Sequence, residues 1–199
     1  MTTLRPALLL LVASLLTACG GGSDDGGANP PPSASTPSAN PSDTGNTGDT
    51  ALPAASTCGL PQFRSEMLAL LNQARAQARA CGTQNFSAAP ALGWDDQLFA
   101  AAAAHAEDMA RNDYFSHDSQ DGRTFSQRIT DAGYDWSAAG ENIAAGQADV
   151  AQVVNAWLDS PGHCANIMSD AFSEVGVACV ADPQSTYTHY WAMSLAWPG

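Results

Sequence analysis

The chain has 199 residues, of which 20 are Asp or Glu and 7 are basic, so its formal charge is −13 at neutral pH. Every basic residue is Arg and the arginines form no cluster, so nothing is available to neutralise phosphates and nucleic-acid binding is excluded. The same charge repels anionic lipid surfaces, so membrane attachment has to come from another source.

The N-terminus carries one charge, Arg5, ahead of the apolar run Ala7 to Leu16 and the tetrapeptide Leu16-Thr17-Ala18-Cys19. These are the parts of a secretory signal over residues 1–18. The run is about half of the roughly twenty residues a helix needs to cross a bilayer, so it is not a permanent span. The tetrapeptide resembles the bacterial lipobox, which implies that Cys19 carries a lipid and that this lipid is the only membrane contact. Gly20 in the next position favours the outer membrane where the cell has one. Residues 19–57 are almost entirely Gly, Ser, Pro, Thr, Asn, Asp and Ala, with Leu52 the single large apolar residue. Such a stretch cannot bury enough surface to offset the entropy of ordering and reads as a disordered tether. The folded domain is then 58–199.

With Cys19 lipidated, Cys58, Cys81, Cys164 and Cys179 remain, an even number in an oxidising compartment. Two disulfides are expected. Four cysteines allow three pairings, and nearness in sequence favours Cys58–Cys81 with Cys164–Cys179. Cys164 directly follows His163, which leaves a Cys/His nucleophile pair as the alternative.

Along the domain, Phe63, Met67, Leu71, Ala74 and Ala78 recur at helical spacing and Cys81-Gly82 ends the pattern, predicting a helix over 62–80. A second helix is expected over 95–112, where Leu98, Ala102, His105 and Met109 share a stripe and five successive alanines permit close approach. Thr124 to Ala132, closed by Gly133, reads as a short third helix. Val150, Val153, Val154, Trp157 and Leu158 make the stripe of a fourth, and Ser160-Pro161 stops it and opens another turn. Glu174 to Val180 and Tyr187 to Trp197 read as two antiparallel strands joined through Asp182-Pro183-Gln184-Ser185.

His105 lies on an apolar stripe and His189 in an aromatic strand, so both read as structural. His117 and His163 instead stand just beyond helix ends, where binding groups are usually presented. Gly140-Glu141-Asn142 opens an apolar segment between them and sets a carboxylate at a strand start. Common enzyme signatures are absent: no Walker loop, dinucleotide fingerprint, His-Glu-x-x-His helix or Gly-x-Ser-x-Gly elbow.

The ordered set Phe115-Ser116-His117-Asp118, Gly140-Glu141-Asn142-Ile143-Ala144, Trp157-Leu158-Asp159-Ser160-Pro161-Gly162-His163, Asn166-Ile167-Met168 and Val175-Gly176-Val177 resembles the CAP superfamily, in particular its bacterial SCP-domain branch. The resemblance covers about 63–197. It implies an α+β fold, an α-β-α sandwich with a central antiparallel sheet. It also implies an open cleft whose two His and two acidic residues can hold a divalent cation such as zinc. His117, Glu141 and His163 match three of those four positions. The fourth, a Glu in eukaryotic members, is Ser160 here, and the adjacent Asp159 faces another way on an ideal helix.

Two functions follow. In the first, the domain is a surface-tethered binding module whose His117, Glu141 and His163 hold a cation or a small ligand; some members of the superfamily bind sterols or other lipids, and Trp94, Trp136 and the last strand supply aromatic surface. The partner is then a small apolar ligand or a protein. In the alternative, a metal-assisted hydrolase of the cell envelope, Glu141 and His163 are the catalytic candidates.

Overall fold

The structure, a computed structural model, describes residues 52–199. The expected signal segment, Cys19 and the tether up to residue 51 lie outside the described residues. No helix among the described residues is long and apolar enough to cross a membrane.

The helices and strands in chain order are α1 (Phe63–Arg75), β1 (Arg79–Cys81), β2 (Gln84–Phe86), β3 (Gly93–Trp94), α2 (Asp96–Asn112), α3 (Phe125–Asp131), β4 (Trp136–Ala145), α4 (Val150–Asp159), α5 (Pro161–Met168), β5 (Glu174–Ala181) and β6 (His189–Pro198). The main sheet has the order β3-β5-β6-β4. The long strands pair antiparallel, as expected, but the short edge strand β3 runs parallel to β5. Glu141 lies in the middle of β4 rather than at a strand start, because the strand begins at Trp136.

The alternation of β5 and β6 sorts two cores. Val175, Val177, Cys179, Trp191, Met193 and Leu195 face α1 and α4, packing on Met67, Leu71, Val153 and Trp157. Ala178, Tyr190 and Ala192 face the other way, onto Phe99, Ala102, Ala106 and Met109 of α2. A helix with this many alanines can sit very close to a sheet. Gly176 completes the fit, since a Cβ there would fall 1.9 Å from the Phe99 backbone nitrogen.

Helix starts follow their local chemistry. The Asp95 side chain accepts from the N–H groups of Gln97 and Leu98, Asp149 from Gln152, and Thr124 forms a capping box with Gln127. Helix α1 stops earlier than its alanine pattern predicts. After Arg75 the chain turns into the β1–β2 hairpin, with Gly82 at φ 63 in the turn instead of acting as a helix cap. Arg75 itself is fully buried and reaches four backbone carbonyls, those of Pro90, Ile167, Ser169 and Phe172, at 2.6–3.1 Å. That purchase on distant segments outweighs the few tenths of a kcal/mol per residue that alanine propensity offers.

Order also begins before Cys58. A 3₁₀ turn spans Ala54–Ser56, Leu52 packs against the core, and Thr57 bridges Cys179.

The disulfides are Cys58–Cys179 and Cys81–Cys164, with Cα separations of 5.2 and 5.5 Å. The pairing expected from nearness in sequence, Cys58–Cys81 and Cys164–Cys179, is therefore wrong. The start of the domain lies along β5, where the Cys58 N–H donates to Cys179 O, and the hairpin brings Cys81 against α5. Both bridges close long loops, with sequence separations of 121 and 83, for which loop-closure entropy gives about 4–5 kcal/mol each. Cys164 is fully buried in its disulfide, so the nucleophile alternative falls. Peptide mapping under non-reducing conditions should join the Cys58 peptide to the Cys179 peptide, and reduction should lower the melting temperature. A Cys58–Cys81 peptide pair would contradict the arrangement.

Candidate functional site

Strand β4 is an edge of the main sheet, and successive residues on it point to opposite faces. Glu141 points toward the α2 side. One carboxylate oxygen takes a hydrogen bond from His117 Nδ1 at 2.8 Å, and the other from Arg128 Nη2 at 2.5 Å. Glu141 and Arg128 side chains are 2% and 3% exposed, while His117 is 52% exposed, so a buried ion pair carries a histidine that opens to solvent. Arg128 also donates to the carbonyls of His117 and Arg123 and to Ser119 Oγ, which holds the whole segment after α2. His105 assists from below: it is fully buried, and its Nε2 bonds the carbonyl of Ser116 at 2.9 Å.

Asn142 points the other way. Its amide donates to the His163 carbonyl at 3.1 Å, and its oxygen accepts from Asn166 at 2.9 Å. Asn166 donates as well to the Glu141 carbonyl, and the Trp157 indole N–H donates to the Ile143 carbonyl. These contacts blunt the exposed edge of β4 and fix α5, which presents His163. Ser160 occupies the N-cap position of α5 with Pro161 at the first helical position, but its hydroxyl makes no capping bond.

Between the two walls lies a cavity of about 290 Å³. Ile143, Ala144 and Ala145 form its floor, Ala156 and Trp157 one side, and the half-exposed rings of Phe115 and Tyr187 the other. Ser160 and His163 lie at its rim.

The charge states follow from these contacts. The hydrogen bond that His117 donates to Glu141 raises the pKa of His117, whereas burial, followed by the charge of His117, lowers that of His163. Burial is also the main cause of the lowered value at His105. At neutral pH His163 is therefore a neutral imidazole, able to accept as well as donate.

His117 and Glu141 are thus in direct contact, and His163 stands on the facing wall; Asp159 is exposed and does not line the cavity. His189 begins β6, away from the cleft lining. Each Glu141 carboxylate oxygen already accepts one hydrogen bond, from His117 or from Arg128. Among the described residues no three or more His, Cys, Asp and Glu side chains stand grouped as a ready-made metal site. Sequence reasoning missed Arg128 and gave Asn142 and Asn166 no role beyond membership of a motif. The available signal was Arg128 itself, one of few cations, set beside Ile129 on the buried face of a short helix.

The profile of the cysteine-rich secretory protein family, CAP, matches residues 68–195. The chain belongs to this family. Two relatives from Bacillus subtilis, the uncharacterized membrane protein YlbC and the uncharacterized protein YkwD, are 36% and 37% identical over 86 residues, 43% of this chain. The match spans only 25% and 34% of their own lengths. An outer surface protein of Borrelia burgdorferi superposes with a TM-score of 0.54 over 68% of this chain and 89% of its own, at 21% identity, and so shares the fold. As expected for a CAP domain, the chain is an α-β-α sandwich around a largely antiparallel sheet.

The two cleft histidines should titrate apart. For His117 the folded pKa lies above the unfolded value of about 6.5, so its contribution to stability is complete below that value and is lost as pH rises through the raised one. For His163 the folded pKa is lowered, so its contribution is present above about 6.5 and is lost as pH falls through the lowered one. In an NMR titration His117 should therefore hold its proton to higher pH than His163. Glu141→Gln should bring His117 down and cost on the order of 3–5 kcal/mol in chemical denaturation, because Arg128 is left as an uncompensated buried charge. Histidines that titrate together, with no change in Glu141→Gln, would contradict the ion-pair geometry.

Proposed function

We propose that this CAP protein is an envelope-tethered binding module that takes a small, largely apolar ligand into the cleft beside β4. The observation that carries the reading is the cavity of about 290 Å³, walled by Ile143, Trp157, Phe115 and Tyr187 and opening onto the neutral imidazole of His163. An apolar pocket with a few convergent polar groups is the usual form of a small-molecule site. His117, Glu141 and Arg128 act in this reading as the frame that holds one wall of the cleft.

A divalent cation such as zinc plays no part in the binding step. It would have to rely on the imidazoles of His117 and His163, with Glu141 drawn away from Arg128, and two imidazoles alone bind weakly at best. The hydrolase reading, with Glu141 and His163 as catalytic groups, depends on the same displaced carboxylate.

Export is supported by two disulfides, which persist in oxidising compartments, and by the signal-like residues 1–18. A lipid on Cys19 would keep the cleft at the cell envelope, on the outer membrane where there is one. Cys19→Ala should shift the protein from the detergent phase to the aqueous phase with the domain still folded. Unchanged partitioning would remove the anchor from the proposal.

Binding is tested by titrating the purified protein with a neutral apolar dye such as Nile red. Saturable binding is expected, and Ala156→Trp, which fills the cavity from its half-exposed side, should weaken it at least tenfold without lowering the melting temperature. Chelator should leave it unchanged. No saturable binding, or a zinc-dependent hydrolytic activity lost in Glu141→Gln, would overturn the reading.

A further inference from the structure

The outward edge of β4 is covered at two residues and open at a third. The Gly146 N–H donates to the His189 carbonyl at 2.9 Å, and Ala144 and Asn142 pair in the same register with Trp191 and Met193. Asn142, Ala144 and Gly146 therefore turn their backbone groups toward β6, while Glu141, Ile143 and Ala145 turn theirs away from it. Side chains cap two of the outward carbonyls: Asn166 donates to that of Glu141 at 3.1 Å and the Trp157 indole to that of Ile143 at 3.2 Å. Ala145 has no such cover. Its N–H and carbonyl, and the N–H of Ile143, bond no described residue. Ile143 and Ala145 both line the cavity of about 290 Å³. A donor and an acceptor left open on one residue of a sheet edge are the groups that another extended chain pairs with.

The walls on either side of that edge are apolar. A residue paired with Ala145 carries its side chain on the same face of the sheet as Ala145, which is the α2 side, where Ala145 packs in one cluster with Tyr190. The half-exposed rings of Phe115 and Tyr187 stand there, with centroids 6.0 Å apart. Tyr187 is held by its neighbours: Asp113 accepts hydrogen bonds from the Thr186 N–H and hydroxyl and from the Tyr190 hydroxyl at 2.7–2.9 Å. The residues before and after the paired one face the other way, toward Ala156 and Trp157. No Arg lines the cavity, His163 is neutral, and the formal charge is −13, so cationic flanks are attracted and anionic ones repelled. Residues 19–51 of the chain itself carry no large apolar side chain and do not match these walls.

We propose that the cleft takes an extended apolar peptide with basic flanks as a short added strand on β4, paired through the backbone of Ala145. One peptide residue donates its N–H to the Ala145 carbonyl and accepts from the Ala145 N–H, and its side chain lies against Phe115 and Tyr187. The adjoining peptide residues set their side chains against Ala156 and Trp157. Because Asn166 and Trp157 cap the edge before it, pairing is confined to the end of β4 that opens on the cavity. Affinity then comes from main-chain bonds and selectivity from the apolar walls. The inference rests on the binding-module reading and adds the class of ligand and the way it is held.

The test titrates the purified protein with the pentapeptide acetyl-Arg-Val-Phe-Val-Arg-amide and with three analogues, each N-methylated at one of the three central residues. Isothermal titration should give saturable binding of the parent peptide. The analogues should alternate, because successive amides of a strand point to opposite sides: either the central one or the two beside it should lose about tenfold, and the rest stay within about twofold. Ala145→Pro removes the outward N–H at a sheet edge, where proline is tolerated, and should weaken the parent about fivefold. Ala139→Pro, on the same edge but outside the cavity lining, should not. Replacing both arginines of the peptide by glutamate should weaken binding, and added salt should narrow that gap. Equal weakening by all three N-methyl groups, or by none, would overturn the strand pairing on the wild-type protein, with no variant that has to fold. Absence of peptide binding where Nile red still binds would overturn this inference alone. Failure of the peptide and of Nile red would overturn it together with the binding-module reading.

Discussion

The buried pair between Arg128 and Glu141 is the contact on which the cleft depends. Neither group can stand there alone, because an isolated charge out of water costs several kcal/mol, and each satisfies the other while spending its remaining capacity on the segment after α2. Glu141 orients His117, and Arg128 holds the carbonyls of His117 and Arg123. The loop that forms one wall is in this way fixed by a helix and a strand that are not its neighbours in sequence.

The adjacent residue does the same for the other wall. Because side chains alternate across a strand, Asn142 leaves β4 on the opposite face and binds α5 through the His163 carbonyl and Asn166. Two consecutive polar residues thus fasten both sides of the cleft to one edge strand. The Cys81–Cys164 bridge adds a covalent tie behind α5, next to His163. A cleft braced this way is largely pre-formed.

The same bracing explains why a familiar set of residues need not imply a metal. Whether a His, Glu and His constellation binds a cation depends on how its donors are held, and here each oxygen of the carboxylate takes a hydrogen bond, one from His117 and one from Arg128. Ser160, at the position where the resemblance implied a Glu in eukaryotic members, makes no capping bond with its hydroxyl and lies at the cavity rim. In the proposed reading the cleft works through neutral hydrogen bonding and apolar contact.

Much of the fold was legible in the sequence. Apolar periodicity and caps determined α2, α3 and α4 to within a residue or two, and alternation determined β5 and β6, because these signals are local. The residues Phe115-Ser116-His117, Gly140-Glu141-Asn142 and Ser160-Pro161-Gly162-His163 marked the cleft. Tertiary structure alone decided what lies between distant segments. Helix α1 ends at Arg75 because that side chain is drawn to the Ile167, Ser169 and Phe172 carbonyls, against the helix preference of the alanines beyond it. Cysteines pair across separations of 121 and 83 residues because the sheet brings β5 to the start of the domain and the hairpin to α5, which no spacing encodes. The role of Glu141 was set in the same way: a carboxylate reads alike in any sequence, and only its packing against Arg128 made it a brace.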